Sequence, residues 1–501
     1  MTRTSHSHFA SLIVVGLLVA GCASAASPSP STTPSPTLPE ASTSASAPPP
    51  SPPGSAVDPT ASPSRPPSTA STAIPVRGSA LAVGQQILMA PGPGGTLFIS
   101  IPRPGGPVLA LLDSGGRPRP GWPIVLKDAT ACDVLLAVVD GSVRIICNET
   151  DLPQPDNDPA DVRAFAFDAG GRLLPGWPVQ LEPAWPRRCT AIMIDDELII
   201  LDGRVAPDPQ AWLTTIAADG KSRVGTPTPG VEIWCGDTWA IGPDGVAYGS
   251  KHVLGDSASA PKSSEVLDVS LAGAGDRVVI DGIASRPAFY AAGGVVLTVS
   301  SFPRPTSRVV VFDDGVGASR SSAELPLETA VVAYSDTDEC GQPRPRPPLV
   351  AEQGTTFVFS AIDSAIFALD DPSLAVMDGW PFKPGTPLVG PYYADPRSEI
   401  SCPSLAIPAV GPDSTLYLPL QARNTNVGGN LVAVGPEGRV RSGWPVELKR
   451  PGSEFWSVVV GPDGTVYGLA IEPETSSSSS ATILAIAPDS TVRWTTTIVE
   501  P

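Results

Sequence analysis

Short apolar runs recur along the chain, each closed by a polar turn. Leu109-Ala110-Leu111-Leu112 ends in Asp113, Phe165-Ala166-Phe167 in Asp168, Ile366-Phe367-Ala368-Leu369 in Asp370, and Leu484-Ala485-Ile486-Ala487 in Pro488-Asp489. A second set of turns is Gly242-Pro243-Asp244-Gly245, Gly411-Pro412-Asp413-Ser414 and Gly461-Pro462-Asp463-Gly464. Each lies between apolar stretches, such as the one resuming at Thr465-Val466-Tyr467-Gly468. Proline at the first central position, with Asp and Gly after it, is turn chemistry, and the β-branched and aromatic flanks make each a hairpin.

A third signal sets a period. Gly-Trp-Pro occurs at Gly121-Trp122-Pro123, Gly176-Trp177-Pro178, Gly379-Trp380-Pro381 and Gly443-Trp444-Pro445, and Thr491-Val492-Arg493-Trp494 keeps the tryptophan without the insertion. Neighbouring copies stand about 50 residues apart. The gap from Trp177 to Trp380 is close to four such periods, so three degenerate copies are expected in 189–231, 234–285 and 288–330. Four short strands per period predict an all-β propeller of eight four-stranded blades, with seven as the alternative count. One four-stranded sheet cannot cover both of its faces, and ring stacking lets neighbours cover them. Trp122, Trp177, Trp380, Trp444 and Trp494 are therefore expected to pack between blades. Trp185, Trp234 and Trp239 fall outside the pattern and are the better candidates for exposed binding aromatics.

The segments Val460-Gly461-Pro462-Asp463-Gly464-Thr465-Val466-Tyr467, Ile483-Leu484-Ala485-Ile486-Ala487-Pro488-Asp489 and Arg493-Trp494 resemble repeats of the PQQ-like (quinoprotein-like, WD40-like) β-propellers. The resemblance covers residues from about 80 to 501 and implies a fold more than a function. The family includes dehydrogenases with adjacent cysteines over the quinone and a calcium site of Asp, Asn and Glu. It also includes an outer-membrane assembly lipoprotein that acts through protein contacts. This chain has no adjacent cysteines, and its third-to-fourth-strand turns lack the enzymes' Thr-Gly.

The N-terminus is of another kind. Phe9 to Ala20 is an apolar run of signal-peptide length, and Val19-Ala20-Gly21-Cys22 resembles the lipobox of bacterial lipoproteins. That resemblance implies a signal peptide over 1–21 and a lipid-bearing (palmitate) Cys22 held in the membrane. Residues 22–75 are mostly Ser, Thr, Pro and Ala, too polar to offset chain entropy, so a disordered linker is expected there. The propeller takes 76–501. All of it is expected on the extracytoplasmic face of the cell membrane or envelope.

A formal net charge of −18 repels phosphate backbones and argues against nucleic acid. His6 and His8 fall in the leader, leaving His252 alone in the loop-like Ser250-Lys251-His252, so a Ser-His-Asp triad or multi-histidine metal site has almost nothing to work with. Beyond Cys22 stand Cys132, Cys147, Cys189, Cys235, Cys340 and Cys402, an even number, which in an exported domain predicts disulfides. Cys132 and Cys147 flank a hairpin turning near Asp140-Gly141 and would stand opposite each other. Cys189, Cys235 and Cys402 each precede a first strand on one rim, which suggests Cys189–Cys235 and leaves Cys340–Cys402.

Acidic pairs occur at Asp195-Asp196, Asp313-Asp314 and Asp370-Asp371, with Asp336, Asp338 and Glu339 as a further cluster. Most fall at strand ends, where Asp is ordinary turn chemistry. Asp156, Asn157, Asp158 and Asp161 lack EF-hand spacing. No catalytic residue, metal or cofactor is assigned. The expected function is a monomeric, non-catalytic binding or scaffolding propeller for an envelope protein or an extracellular glycan. The alternatives are a polysaccharide hydrolase or lyase using paired carboxylates, and a PQQ-dependent dehydrogenase. The longest connections, near 148–162, 251–264, 335–348 and 390–402, are expected to shape the binding face.

Overall fold

The structure is a computed structural model. It describes residues 71–75 and 87–499, except 104, 128, 149–161, 182–189, 205–207, 232–238, 255–260, 302–305, 314, 326–347, 361–364, 386–391, 395–400, 404–407, 421–426 and 474–478. The chain divides into two units, Met1–Arg65 and Pro66–Pro501, and every described residue lies in the second. Among its described residues that unit is all-β apart from one helical turn at Pro93–Gly95. Its strands form eight antiparallel blades at 88–125, 131–180, 190–224, 239–281, 283–321, 349–376, 409–447 and 454–499, numbered 1 to 8 below. Eight is thus the blade count, and the degenerate copies are blades 3, 4 and 5.

The second and third strands explain the apolar runs. Leu97–Ile101 and Val108–Leu112 are buried at every position, because a neighbouring sheet lies on each face. The buried residues fall into eight clusters, and each draws on two consecutive blades. One of them joins Leu97, Ile99 and Leu112 of blade 1 to Tyr467, Ile483 and Trp494 of blade 8, which closes the ring. Thr496 Oγ1 adds a 2.8 Å hydrogen bond to the carbonyl of Gly116 across the same seam.

Each Gly-Trp-Pro segment is a clasp onto the following blade. The indole N–H of Trp122 donates to the Ala169 carbonyl (3.1 Å), Trp177 to Ala218 (3.1 Å), Trp380 to Pro436 (2.8 Å) and Trp444 to Pro488 (3.2 Å). Every acceptor lies in the third-to-fourth-strand turn of the next blade. The preceding glycine lets the backbones meet: a Cβ on Gly121, at φ +89°, would lie 2.0 Å from the Gly170 carbonyl oxygen. The fourth strand is interrupted to make room. In blade 1 a single bridge, Leu112 to Pro118, is followed after the clasp by a two-residue strand at Ile124–Val125. Blade 8 lacks the insertion, and its fourth strand runs unbroken over Val492–Val499.

Four placements differ from the reading of the sequence. Ser71–Pro75, within the stretch assigned to the linker, pairs in parallel with Val492–Val499 as a fifth strand of blade 8. Trp239 is buried between blades 3 and 4 rather than exposed; Trp185 and Trp234 lie outside the described residues. His252 stands in a strand, Ala247–Leu254, because this hairpin extends past the expected loop. Cys402 belongs to a separate hairpin, Tyr392–Ala394 with Ser401–Pro403, ahead of the first strand of blade 7 at Ala409–Val410.

Two predictions follow from packing. Gly121→Ala should destabilise the protein by at least about 2 kcal/mol, since left-handed backbone and a backbone clash combine. Trp122→Phe should cost less, about 1–2 kcal/mol, by orphaning one carbonyl. Denaturant unfolding checks both, and a wild-type midpoint for Gly121→Ala would refute the close approach. Cys132 and Cys147 face each other in register and form a disulfide with a sequence separation of 15. Replacing both by Ser should remove about 2–3 kcal/mol, the loop-closure contribution for such a span, read from the same midpoints.

Candidate functional site

A four-stranded meander gives a propeller two unlike rims. The first-to-second and third-to-fourth connections emerge at one end, and the second-to-third connections and blade-to-blade links at the other. The first rim consists of tight turns. There Asp113 Oδ1 accepts the N–H groups of Gly115 and Arg117, and Asp168 Oδ1 those of Gly170 and Arg172. Asp463 and Thr465 of blade 8 bind Arg493, as Asp413 and Thr415 of blade 7 bind Arg441. Burial pushes the Asp413 carboxyl up, but hydrogen bonds from Thr415 and Arg441 outweigh it and hold Asp413 below the usual range.

The second rim holds the strand ends between which the long connections run. The segments 149–161, 182–189, 232–238, 255–260, 326–347 and 386–407 all leave from and return to strand ends at that rim. The described strand ends that flank the four stretches expected to shape a binding face lie at this rim, and those stretches themselves fall wholly or partly outside the described residues. First strands of neighbouring blades touch around the axis, including blades 1 with 2, 2 with 3, 7 with 8 and 8 with 1, so the same rim surrounds one mouth of the central channel. Half-buried Glu454 begins the first strand of blade 8 at this end, and burial pushes its carboxyl up.

Among the described residues the acidic pairs form no acid–base pair. Asp195 occupies a first-to-second-strand turn of blade 3 at φ +52°. Asp313 of blade 5 and Asp371 of blade 6 are joined through Arg320, which binds both carboxylates and donates to the Pro372 carbonyl at 2.7 Å. That arrangement is an interblade ion bridge rather than an acid–base pair. Asp314, Asp336, Asp338, Glu339 and the 156–161 acids lie outside the described residues, as do Cys189, Cys235 and Cys340. Among the described residues no group of three His, Cys, Asp or Glu side chains is placed to hold a metal ion.

Two open grooves carry no such chemistry. One, of about 580 Å³, is lined by Arg223, Val224, Gly225, Thr226, Pro227, Leu271 and Ala272 between blades 3 and 4. The other, of about 440 Å³, lies over the blade 1 turns and contains Asp113, already engaged as a turn acceptor.

The reading of the sequence missed one acidic group. Burial pushes the Asp268 carboxyl up, N–H donors at Asp276 and Gly275 oppose it, and the carboxylates of Asp276 and Asp244 add to it. Gly275 stands against that carboxylate so closely that a Cβ would overlap it. The pairing irregularity between Leu267 and Val269 creates this contact, and no sequence spacing announces it.

No family model and no curated protein matches the chain. Among solved structures it is similar to a puromycin hydrolase, at 12% identity and a TM-score of 0.40, over 82% of this chain and 55% of that one. It is also similar to dipeptidyl peptidase 4 of Porphyromonas gingivalis, at 10% identity and a TM-score of 0.48, over 85% of this chain and 62% of that one. A third is virginiamycin B lyase of Staphylococcus aureus, at 13% identity and a TM-score of 0.33, over 60% and 92%. The chain spans little more than half the length of the puromycin hydrolase, and no activity is carried over from any of the three.

The Asp268 environment yields a pH prediction. A carboxyl whose folded pKa is raised above its ordinary value contributes stability while protonated and loses it as pH rises through the folded value. At neutral pH its charge is therefore a cost. Asp268→Asn should raise Tm at pH 7, with the gain vanishing below about pH 4. A lower Tm at pH 7 would mean that the two N–H bonds outweigh the burial.

Proposed function

We propose that the chain is a lipid-anchored propeller displayed on the extracytoplasmic face of a bacterial envelope, where its loop rim binds an envelope protein or a glycan without catalysis. The observation that carries this reading is the inequality of the rims. One rim is occupied by turns whose carboxylates are engaged in N–H bonds and ion bridges. The other holds the described strand ends between which the long connections run. A rigid ring with variable segments gathered on one rim suits recognition. The lipobox-like Val19-Ala20-Gly21-Cys22 and the Pro/Ser/Thr/Ala stretch behind it supply the anchoring half of the proposal.

In-cell crosslinking of the intact chain, with mass spectrometry of what it captures, tests the binding half. Expected is a reproducible envelope partner that is lost when 335–348 and 390–402 are trimmed. Capture unaffected by trimming would overturn the rim assignment. Release of soluble sugar from envelope glycan, abolished by Asp370→Asn or Asp371→Asn, would overturn the non-catalytic reading. For the anchor, Cys22→Ser should end palmitate incorporation and move the protein out of the membrane fraction. An unchanged distribution would remove the lipid from the proposal.

A further inference from the structure

The outer edges of seven blades are short or covered. The fourth strands of blades 1, 2, 3, 5, 6 and 7 run for two or three residues. That of blade 8 is covered by Ser71–Pro75. Blade 4 differs. Its fourth strand, Gly273–Asp281, runs for nine residues at the end of its sheet, and among the described residues no strand pairs with its outer side.

An unpaired strand edge is a template for another strand. Here the Asp281 carbonyl accepts from Arg308 at 3.0 Å and the Gly275 and Asp276 N–H groups bond the Asp268 carboxylate, and among the described residues no strand takes the backbone between them. Proteins usually blunt such edges with proline, lysine or bulges. This strand contains neither proline nor lysine, and its pairing irregularity lies opposite Leu267 to Val269, leaving Arg277–Asp281 in regular register. Val279, in the middle of that stretch, is 64% exposed.

The stretch is complementary to itself. In an antiparallel pair centred on Val279, Val279 faces its own copy, Val278 faces Ile280, and Arg277 faces Asp281 twice by symmetry. Centring the pair between Val278 and Val279 instead would set Asp276 against Asp281. Opposite charges directly across a ladder favour one register, and like charges exclude another. Arg277 already lies on the Val279 face, where it bonds Glu265 on the neighbouring strand at 3.3 Å.

We propose that two copies of this chain associate through antiparallel pairing of Gly273–Asp281 centred on Val279, so that blade 4 of each copy continues into blade 4 of the other. The contact is isologous and closes at two copies. It uses main-chain bonds for affinity and the Arg277–Asp281 pairs for register. It revises the monomer expected from the sequence, and it stands or falls independently of the loop-rim reading.

The test uses the full chain in detergent. Val279→Cys should give a dimer under mild oxidation, with a disulfide linking position 279 to itself by mass spectrometry. Arg277→Cys, which would face Asp281, should not link to its own copy. Arg277→Asp and Asp281→Arg should each weaken dimerisation in sedimentation by about tenfold, and the double exchange should restore it. Unchanged thermal unfolding of the single variants shows that the fold is intact. A monomer at all concentrations, linkage only to other proteins, or a double exchange no better than the singles would overturn the proposal.

Discussion

The ring depends on how closely two backbones can approach at the tight-turn rim. At the four Gly-Trp-Pro seams, the glycine ahead of the tryptophan lies against a glycine or a neighbouring residue of the following turn, as Gly176 does against Asp219 and Gly220, and Gly379 against Glu437 and Gly438. Both glycines of each such pair have positive φ. A side chain on either would push the sheets apart and pull the indole N–H from its carbonyl. The tryptophan then fills the wedge between sheets against an aromatic partner of its own blade: Phe98, Phe357, Tyr417 or Tyr467. In blade 2 the partner is Arg144, with its guanidinium 5.4 Å from the Trp177 ring centroid. Burial there lowers the Arg144 pKa, and the carboxylates of Asp140 and Asp196 act against that.

At seven of the eight seams the clasp keeps its position while its chemistry varies. In blade 3, Gly225 lies against the Leu271 carbonyl and the Thr226 N–H donates to it at 3.0 Å, so backbone replaces indole. In blade 5 the guanidinium of Arg320 reaches the Asp371 carboxylate and the Pro372 carbonyl in the next turn. At the closure, Gly116 lies under the Trp494 ring and Thr496 supplies the hydrogen bond. A donor aimed at the next blade's turn is the shared requirement, and indole, amide, guanidinium and hydroxyl all satisfy it. The buried tyrosines beside these clasps are held neutral. Tyr417 is pushed up to about 12, mainly by burial and further by the Asp413 carboxylate, with Arg441 opposing.

This explains which parts of the architecture could be read from residues alone. Gly-Trp-Pro is a rare string, and its purpose is local, so four clasps and the period were legible. Gly225-Thr226 and Arg320 do the same task with common residues, so blades 3 and 5 were visible only as missing copies. Trp239 looked free because it lies outside the repeated string, yet Gly249 leaves room for its ring beside the second strand of blade 4. The Cys132–Cys147 juxtaposition was legible because one hairpin sets it. Asp268 was not, because its burial depends on an irregular register across the next strand. The acidic pairs misled for the opposite reason: adjacency in sequence placed Asp370 and Asp371 together, but the partner that decides the chemistry of Asp371 is Arg320 of another blade.

The unequal rims follow from the same constraint. Each blade presents two turns at the tight rim, and at seven of the eight seams the neighbouring blade reaches the third-to-fourth-strand turn with a hydrogen bond among the described residues. An insertion there would break a clasp. An insertion at the other rim enters a second-to-third connection or a blade-to-blade link, where the described packing holds no clasp to break. The ring can therefore gain chain only on one side, whatever that chain later does. Blade 4 shows a second outlet. Its 251–264 insertion lengthens strands instead of loops, through pairs such as Lys251 with Glu265 and Ser264 with Ile280. The added length travels outward across the sheet until it reaches the edge, so a loop-rim insertion becomes an open outer strand. Long connections and a long edge are thus two results of one rule, that growth is tolerated only where no neighbouring blade needs the backbone.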